Sequence, residues 1–332
     1  MNAVVLGSGG WGTALALVLQ DNGHAVTLWS HDAEKAKKLQ STRENPLLKG
    51  VEIPGEIRIT NDLAPLREAE LVVFAAPSFA LRSVARLAAP HLAPDALLVS
   101  VTKGIERGTH LRMSQLVCGE TGRDAVVALS GPSHAEEVAR RMATGCVAAS
   151  ESQAAAETVQ AAFMNDAFRV YTHDDVVGVE LSGALKNVAA LCCGIVDGYG
   201  LGDNTRALLM TRALTEMARL TERLGGRRDT LAGLAGVGDL IVTCTSMHSR
   251  NRRAGILIGQ GKSFEEATRE VGAVVEGSYA AQSAKELADE LDVDMPIFRA
   301  VYAVLFEGAE VGKMTRALML RRAKRESDSC WV

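Results

Sequence analysis

The pattern of hydrophobic and polar positions changes near residue 175. Before that point, short apolar runs alternate with amphipathic stretches, and turn residues separate them. Apolar runs of this kind predict buried strands, and the stretches between them predict helices. Strands are predicted at 3–6, 25–30, 71–76, 97–101, 125–130 and 146–149, with a short extra strand at 57–60, and helices at 13–22, 32–41, 79–89, 109–118 and 134–141. Strands that alternate with helices form parallel sheets with right-handed crossovers.

From about residue 176 the alternation stops, and apolar residues recur at helical spacing between charged ones. Helices are predicted at 176–196, 205–224, 251–259, 264–270, 277–291, 296–306 and 310–321, with glycine-rich breaks between several of them. A chain of 332 residues is long for one core and suggests about two domains. The pattern therefore predicts an α/β domain at 1–176 followed by an all-helical domain at 177–332.

Three glycines follow the first predicted strand and open the first predicted helix. Gly7, Gly9 and Gly12 have the spacing G-x-G-x-x-G. In a dinucleotide-binding fold the first glycine permits the tight turn, the second lets the backbone approach a pyrophosphate, and the third lets helix and strand pack closely. The N-terminus of the helix then offers N–H groups to the phosphates. A flexible glycine turn would not require a strand before it and a helix after it, so we predict a Rossmann-type domain.

Composition and charge exclude several classes of function. The formal net charge is −4 and aromatic residues make up 4% of the chain, which argues against a nucleic-acid-binding protein. The six cysteines show no C-x-x-C and no metal-type spacing with histidine, and reduced thiols suit the cytoplasm. The first 20 residues lack the basic start of a signal peptide, and the longest apolar stretches, around 188–196, are too short and too broken to span a bilayer. We expect a cytoplasmic protein with no bound metal and no stable membrane insertion.

Polar residues at the ends of the predicted strands are candidates for ligand binding, because open α/β sheets bind ligands there. His31 and Asp32 follow the second strand, where an acidic residue favours NAD over NADP; Asp32 is equally explained as the cap of the next helix. Lys103 follows a buried strand and is either a cleft residue or a solvated loop lysine. After the strand predicted at 125–130, Gly131 allows close backbone approach to a ligand, and Pro132 with Ser133 can start a helix whose N–H groups face the cleft.

In the second half, Lys186 is the most informative residue. It lies with Asn187 in a predicted helix that is apolar or small on nearly every face. Burial would make such a lysine usable as a general base, although a lysine can also reach out to solvent along its own stem. Asp239, between a glycine turn and an apolar run, either tunes this lysine or caps a helix. The guanidinium and amide donors in 249–253 suit a phosphate, or form a plain solvated basic turn.

Taken together, these segments resemble the bacterial NAD(P)-dependent sn-glycerol-3-phosphate dehydrogenases over the chain to about residue 320. Seven blocks in order carry the resemblance: Gly7–Ala14, Thr102–Gly104, Ser130–Ser133, Gly183–Asn187, Gly236–Leu240, Ser249–Asn251 and Val275–Gly277. The resemblance implies reversible, NAD(H)- or NADP(H)-dependent reduction of dihydroxyacetone phosphate to sn-glycerol 3-phosphate, a phospholipid precursor. It also implies a homodimer and a cleft between the two domains that closes on the substrate.

The same resemblance implies roles for individual residues. Lys186 matches the general acid/base, and Lys103 and Asp239 match residues that act beside it. Substrate contacts are implied for Lys103, Gly131, Ser133, Lys186, Asn187, Asp239, Thr243, Ser249, Arg250 and Asn251. Cofactor contacts are implied for Gly7, Gly9, Gly10, Trp11, Gly12, His31, Asp32, Lys103, Ala135, Arg250, Val274 and Glu276.

One position departs from the family pattern. NADPH-using members often carry arginine directly after the histidine that corresponds to His31, and this chain has Asp32. A carboxylate there predicts weaker discrimination in favour of NADPH, or a preference for NADH. Two other functions remain open: a related two-domain dehydrogenase of 6-phosphogluconate or a 3-hydroxyacid, and a non-catalytic NAD(P)-binding redox sensor. The sensor would have no use for Lys186.

Overall fold

A computed structural model describes residues 1–323, 325 and 326 of the chain. The chain forms two compact units. Residues 1–103 and 111–176 form the first, here called the sheet unit. Residues 104–110 together with the described residues from 177 onwards form the second, the helical unit. Residues 104–110 therefore leave the sheet unit and pack with helices that come much later in the sequence. The Cys330 and Trp331 tail lies outside the described residues.

The sheet unit is built on eight strands in the spatial order β3-β2-β1-β4-β5-β6-β7-β8. Their bounds are β1 Asn2–Leu6, β2 Ala25–Trp29, β3 Arg58–Thr60, β4 Leu71–Phe74, β5 Leu97–Ser100, β6 Val127–Ser130, β7 Thr144–Ala149 and β8 Phe168–His173. Strands β1 to β6 are parallel, and the order 3-2-1-4-5-6 is that of the Rossmann fold. The predicted fold class, an α/β sheet domain followed by helices, is confirmed.

The sheet is not parallel throughout, and here the sequence-based expectation is wrong. Strand β7 runs antiparallel to β6, and β8 runs parallel to β7. The physical reason is the short connection between β6 and β7, which contains only a four-residue helix. A parallel partner would require the chain to return to the opposite edge of the sheet, whereas an antiparallel strand can start at the edge where β6 ends.

Helices cover both faces of this sheet. They are α1 Gly10–Asp21, α2 Ala33–Thr42, α3 Ser78–Ala88, α4 Met113–Thr121, α5 Ala135–Val138 and α6 Gln153–Phe163, with short 3₁₀ turns at Ala64–Glu68 and Ala89–His91. Side chains alternate along a strand, so Val5 joins the core with Leu15 of α1, and Leu6 joins the core with Leu81 of α3. The sequence analysis missed α6 and β8 and extended α4 and α5 beyond their observed bounds.

The helical unit contains eight α-helices among the residues that the structure describes. They are α7 Val176–Gly198, α8 Asp203–Arg223, α9 Asp239–Thr245, α10 Arg250–Gly259, α11 Phe264–Val271, α12 Glu276–Glu290, α13 Pro296–Phe306 and α14 Val311–Met319. Between α8 and α9 lie a 3₁₀ turn, Asp229–Ala232, and a π-helical turn, Leu234–Gly238. Helix α9 and both turns were not predicted, because the three glycines within 233–238 were interpreted as a break.

Helix α7 forms the centre of the helical unit. Its 23 residues are long and apolar enough to cross a membrane by length and composition alone, which corrects the expectation that this stretch is too short and broken. All residues of its most apolar 18-residue window are buried inside the protein. A helix that is apolar on every side is either a membrane span or the core of a large helical domain, and burial identifies α7 as a core helix.

Glycines let α7 and α10 pack backbone against backbone. A Cβ on Gly194 of α7 would stand 2.1 Å from the carbonyl oxygen of Arg252, and one on Gly255 of α10 would stand 2.3 Å from that of Leu191. The pair Gly198 and Gly259, one turn further along, makes equally close approaches to the opposite helix. These distances are shorter than any side chain tolerates, so the crossing requires glycine at all four positions.

Residues 104–110 are held in the helical unit by apolar and polar contacts. Ile105 is buried in the helical core, and Ser283 of α12 donates to its carbonyl oxygen at 3.4 Å. His110 lies 2.8 Å from the Glu286 carboxylate, also on α12. The segment is therefore anchored along one face of α12.

Candidate active-site residues in each unit

The glycine-rich turn after β1 has the geometry that the sequence predicted. Gly7 has a φ of +135°, which only glycine adopts readily, and a Cβ there would stand 2.5 Å from the Ala75 carbonyl oxygen. A Cβ on Gly12 would stand 1.9 Å from the Gly7 carbonyl oxygen, so Gly12 permits the close packing of α1 on the turn. By contrast, no heavy atom lies within 4 Å of the Cβ position on Gly9. The protein's own packing therefore leaves space beside Gly9.

Helix α1 begins with no side-chain cap. Gly9 occupies the N-cap position in an extended conformation, and no side chain accepts a hydrogen bond there. The first turn contains Gly10 and Trp11, and the indole Nε1 of Trp11 is buried without a hydrogen-bond partner. An uncapped helix N-terminus beside open space is the arrangement that binds phosphate groups in nucleotide-binding folds.

Asp32 is the N-cap of α2. Its Oδ1 accepts hydrogen bonds from the backbone N–H groups of Glu34 at 2.9 Å and Lys35 at 3.0 Å. Of the two roles that the sequence suggested for Asp32, the structure shows that of a helix cap. Its charge also acts on Lys35, whose pKa is lowered mainly by burial and raised in part by Asp32. His31 and Asp32 are both exposed at the carboxyl end of β2.

Three predicted substrate residues lie together at the end of β5 and β6. Lys103 Nζ donates to the Gly131 carbonyl oxygen at 2.9 Å, and Ser133 Oγ donates to the same oxygen at 3.1 Å. Gly131 has a φ of +158°, and a Cβ there would stand 2.8 Å from the Cα of Cys146 on β7. Ala135 begins α5 close by, with its Cβ 3.7 Å from the Cβ position on Gly10.

In the helical unit, Lys186 forms a buried ion pair. Its Nζ donates to Asp239 Oδ1 and to Thr243 Oγ1, each at 2.6 Å. Thr243 Oγ1 in turn donates to the Asp239 backbone carbonyl at 2.6 Å. Lys186 is 5% exposed and Asp239 is 1% exposed. Two predicted residues from α9, 53 and 57 positions away in the sequence, therefore hold the lysine of α7.

Local structure explains why Asp239 reaches Lys186. The π-helical turn before α9 places Asp239 in the first turn of that helix, where the helix dipole favours a carboxylate. Gly236 is needed in this turn, because a Cβ there would stand 2.1 Å from the Leu231 carbonyl oxygen. Cys244 lies beside this cluster, and a hydrogen bond with Cys193 together with burial raises the pKa of its thiol. Asp239, rather than a thiolate, therefore supplies the charge that pairs with Lys186.

A second set of predicted residues forms a hydrogen-bonded chain across three helices. Asn251 Nδ2 of α10 donates to Asn187 Oδ1 of α7 at 2.9 Å, and the backbone N–H of Gly277 in α12 donates to Asn251 Oδ1 at 2.9 Å. Gly277 lies against α7, since a Cβ there would stand 2.6 Å from the Asn187 carbonyl oxygen. This chain fixes the start of α12, where Val274 and Glu276 lie.

Ser249 and Arg250 occupy different environments at the start of α10. Ser249 is buried and caps the helix, with its Oγ accepting from the Arg252 backbone N–H at 3.2 Å. Arg250 is the first residue of α10 and is exposed. The sequence analysis missed the ion pair that anchors this helix, in which Arg252 Nη2 lies 2.7 Å from Asp197 Oδ2 of α7. The sequence could have indicated Asp197 in the same way as Lys186, because Asp197 is a charged residue that follows an apolar run.

Comparisons with known proteins agree on one family. Residues 2–156 match the model of the NAD-dependent glycerol-3-phosphate dehydrogenase N-terminus, and residues 175–316 match that of the C-terminus. The chain is 51% identical to glycerol-3-phosphate dehydrogenase [NAD(P)+] of Moorella thermoacetica, over 98% of this chain and 97% of that one. It is 48% identical to the enzyme of the same name from Desulfitobacterium hafniense, over 97% of this chain and 92% of that one.

A solved structure agrees with the sequence comparisons. The crystal structure of glycerol-3-phosphate dehydrogenase from Coxiella burnetii superposes with a TM-score of 0.92 at 37% identity, covering 96% of this chain and 98% of that one. The sheet order, the helical second unit and the sequence identities all lead to the same assignment. The chain belongs to the family of NAD(P)-dependent glycerol-3-phosphate dehydrogenases, which are oxidoreductases.

Proposed function

We propose that this chain catalyses the reversible reduction of dihydroxyacetone phosphate to sn-glycerol 3-phosphate with NADH or NADPH. The observation that carries the proposal is the buried Lys186, held at 2.6 Å by both Asp239 and Thr243. A buried ion pair adds little to stability by itself, because desolvation offsets much of the attraction between the two charges. A catalytic role explains why a charged lysine lies in an otherwise apolar core helix.

The sheet unit fits a dinucleotide cofactor. The open space beside Gly9 and the uncapped start of α1 suit a pyrophosphate, and Gly10 and Trp11 lie in the same turn. His31 and Asp32 lie at the end of β2, where the adenosine ribose binds in this fold. The bound cofactor supplies or accepts the hydride. Further cofactor contacts are proposed for Lys103, Ala135, Arg250, Val274 and Glu276.

Lys186 is proposed to move the proton. When the ketone is reduced, its ammonium group donates a hydrogen bond to the carbonyl oxygen and then transfers a proton to it. When the alcohol is oxidised, the neutral amine accepts the proton of the C2 hydroxyl. The Asp239 carboxylate contacts the amine at 2.6 Å and holds it in place for the transfer. Thr243 fixes the direction of the amine.

The substrate phosphate needs fixed donors. Arg250 is exposed at the start of α10, and Asn251 beside it is held by Asn187 and Gly277. An arginine fork suits phosphate. The Ser249 hydroxyl oxygen accepts from the Arg252 backbone N–H, and its O–H is proposed to donate to the substrate phosphate. Lys103, Gly131 and Ser133 are proposed as the substrate contacts of the sheet unit.

Asp32 is proposed to weaken the preference for NADPH. Its carboxylate would repel a 2′-phosphate on the ribose, and the chain has no arginine directly after His31. We also propose that the protein acts in the cytoplasm as a homodimer and supplies sn-glycerol 3-phosphate for phospholipid synthesis.

The proposal is tested by mixing the purified protein with dihydroxyacetone phosphate and NADH or NADPH and following the loss of reduced cofactor. Oxidation that depends on the ketone phosphate supports the activity, and a kcat/KM with NADH at least equal to that with NADPH supports the role of Asp32. A higher kcat/KM with NADPH would refute that role. Binding of both cofactors without turnover of this substrate would favour the hydroxyacid dehydrogenase or, failing those substrates, the redox sensor.

Lys186→Ala tests the mechanism. We expect kcat to fall by at least about a hundredfold, since general acid/base catalysis contributes factors of this size, while the Kd for NADH stays close to that of the wild type. Lys313→Ala is the matched control, because Lys313 is an exposed lysine of the helical unit paired only with Glu310 among the described residues. A Lys186→Ala variant that keeps most of its kcat would remove Lys186 from the proton-transfer role.

A further inference from the structure

A buried asparagine outside the glycine motif holds the glycine-rich turn in place. Asn45 lies in the loop after α2 and is 2% exposed. Its Nδ2 donates to the Thr13 hydroxyl at 2.7 Å and to the Ser8 carbonyl oxygen at 3.3 Å. Ser8 lies between the first two glycines of the motif, and Thr13 lies in the first turns of α1. One amide group therefore ties the turn to the helix that follows it.

The same side chain also organises its own loop. Asn45 Oδ1 accepts from the backbone N–H of Leu47 at 3.0 Å. The side chain at this position must donate to the oxygens of Ser8 and Thr13 and accept from the N–H of Leu47. A neutral amide can do both. An aspartate would place a carboxylate against the Ser8 carbonyl oxygen and beside the start of α1. The chemistry of the contacts therefore selects asparagine at this position.

Leu47 lies beside the start of α1. Its Cβ is 3.5 Å from the Cβ position on Gly10, the first residue of the helix, and its side chain is exposed. The neighbouring Leu48 is buried in the sheet-unit core and anchors the loop. Ala135, which the family resemblance assigns to the cofactor, approaches the same point from α5. An exposed leucine at this place leaves apolar surface next to an uncapped helix N-terminus.

We propose that the segment Asn45–Leu48 is a further part of the dinucleotide site, and this inference rests on the cofactor binding proposed above. Asn45 is a positioning residue that holds the glycine-rich turn in its pyrophosphate-binding geometry. Leu47 contacts the bound dinucleotide and excludes water from one side of the pyrophosphate. Removing water from charged groups strengthens the hydrogen bonds that the backbone N–H groups donate to them.

The first test measures ligand affinity for Asn45→Ala by calorimetry, independently of turnover. We expect the Kd for NADH and for ADP-ribose to rise together by about tenfold, as expected for loss of buried hydrogen bonds, with little change for AMP, which lacks the pyrophosphate. The kcat at saturating cofactor should stay close to that of the wild type. Asn45→Asp should weaken NADH binding further, and added salt should reduce that extra loss.

Asn165→Ala is the matched control. Asn165 Oδ1 accepts hydrogen bonds from two backbone N–H groups, and its Nδ2 donates to Asn22 Oδ1. Asn22 follows the C-terminus of α1, at the end of the helix away from the glycine-rich turn. Both alanine variants should lower the melting temperature, but only Asn45→Ala should raise the Kd for NADH. Equal destabilisation with unchanged Kd values in both variants would overturn the positioning role.

Leu47→Ala provides a second test that does not depend on folding, because the side chain is exposed. We expect its Kd for NADH to rise by about threefold, the scale of a partly buried apolar contact. Leu87→Ala, an equally exposed leucine at the far end of α3, should leave the Kd unchanged. An unchanged Kd for Leu47→Ala would refute the contact. If Asn45→Ala weakens NADH binding but dihydroxyacetone phosphate is not reduced, the proposed activity fails and this inference stands.

Discussion

Glu216 is a buried carboxyl group far in sequence from every proposed catalytic residue. It is 3% exposed on α8, and it accepts hydrogen bonds from the backbone N–H groups of Ile297 and Phe298 at the start of α13. Burial raises its pKa to about 8, although these hydrogen bonds and Arg219 partly oppose the effect. The charged carboxylate is therefore unfavourable in the folded protein at neutral pH.

The raised pKa of Glu216 predicts how stability depends on pH. Between about pH 4.5 and 8 the folded state binds the Glu216 proton more tightly than the unfolded state does, so this group lowers stability as the pH rises through that window. The full effect above pH 8 is on the order of 5 kcal/mol. Glu216→Gln keeps an acceptor but cannot ionise, so its melting temperature relative to the wild type should increase from pH 5 to pH 8.

Glu222→Gln is the control for this prediction, because Glu222 is exposed on the same helix. Its melting temperature relative to the wild type should change little over the same range. A constant difference between Glu216→Gln and the wild type at both pH values would show that Glu216 does not ionise in this window.

At the level of residues, the sequence predicts site residues whose type is unusual for the local pattern, such as a charged residue in an apolar stretch. Lys186 was identified because it is a lysine in an apolar helix. Gly7 and Gly12 were identified because the spacing G-x-G-x-x-G between a strand and a helix indicates a tight turn with close backbone packing. Asn45 was not found, because its partners Ser8 and Thr13 lie 37 and 32 positions away and an asparagine in a loop is unremarkable by itself. Whether the remaining site residues contact ligands stays a prediction.

The crossing of α7 and α10 leaves no room for a side chain at its glycines. Gly255→Ala places a methyl group 2.3 Å from the Leu191 carbonyl oxygen. The methyl group is fixed to the backbone of α10 and the oxygen belongs to the backbone of α7, so the contact is relieved only if a helix moves. We expect a loss of about 3 kcal/mol in the free energy of unfolding, because overpacking forces the helices apart. The KM for the phosphate substrate should also rise, since α10 carries Arg250 and Asn251 at its start. Urea unfolding and steady-state kinetics measure the two effects.

Gly119→Ala is the control for this substitution. Gly119 lies in α4 with no heavy atom within 4 Å of its Cβ position. Alanine there should be neutral or stabilise the protein by up to about 1 kcal/mol, because alanine favours the helix. A stability for Gly255→Ala equal to or above that of the wild type, like the one expected for Gly119→Ala, would show that the crossing tolerates a side chain.

Among the elements, the strongly periodic ones were predicted and the irregular ones were not. Strands β1 to β6 and helices α7, α8 and α12 follow from apolar runs or helical spacing. The reversal of β7 depends on the length of a connection, which local pattern does not reveal. The π-helical turn Leu234–Gly238 was hidden because its glycines serve close packing, as at Gly236, while the same residues usually mark a break.

On the scale of the whole molecule, the chain does not divide into two consecutive pieces. Ile105 lies four residues after Val101, yet Val101 is buried in the core of the sheet unit and Ile105 in that of the helical unit. Nothing in the local pattern distinguishes them, because both are β-branched residues in the segment that follows β5. The predicted boundary at 176 follows from a change in the periodicity of apolar residues. The segment 104–110 is only seven residues long, which is too short to change that periodicity.

Hydrogen exchange can distinguish the two cores. Ile105→Ala should destabilise the helical unit by about 2–4 kcal/mol, since it empties a buried site. Backbone amides of α7 and α12 should then exchange faster, while those of β1 and β4 keep their wild-type rates. Val101→Ala is the matched control and should have the reverse pattern. Faster exchange in β1 and β4 for both variants would contradict the assignment of Ile105 to the helical core.

The placement of residues 104–110 also constrains how members of this family can recombine. A hybrid gene joined at residue 176 would combine the 104–110 segment of one parent with the α12 of the other. One parent would then supply Ile105 and His110, and the other would supply their contacts Ser283 and Glu286. The two sets of residues would fit together only by chance. A productive hybrid must exchange this segment together with the helical unit, so sequence variation at 104–110 should follow that of α12 more closely than that of the strands beside it.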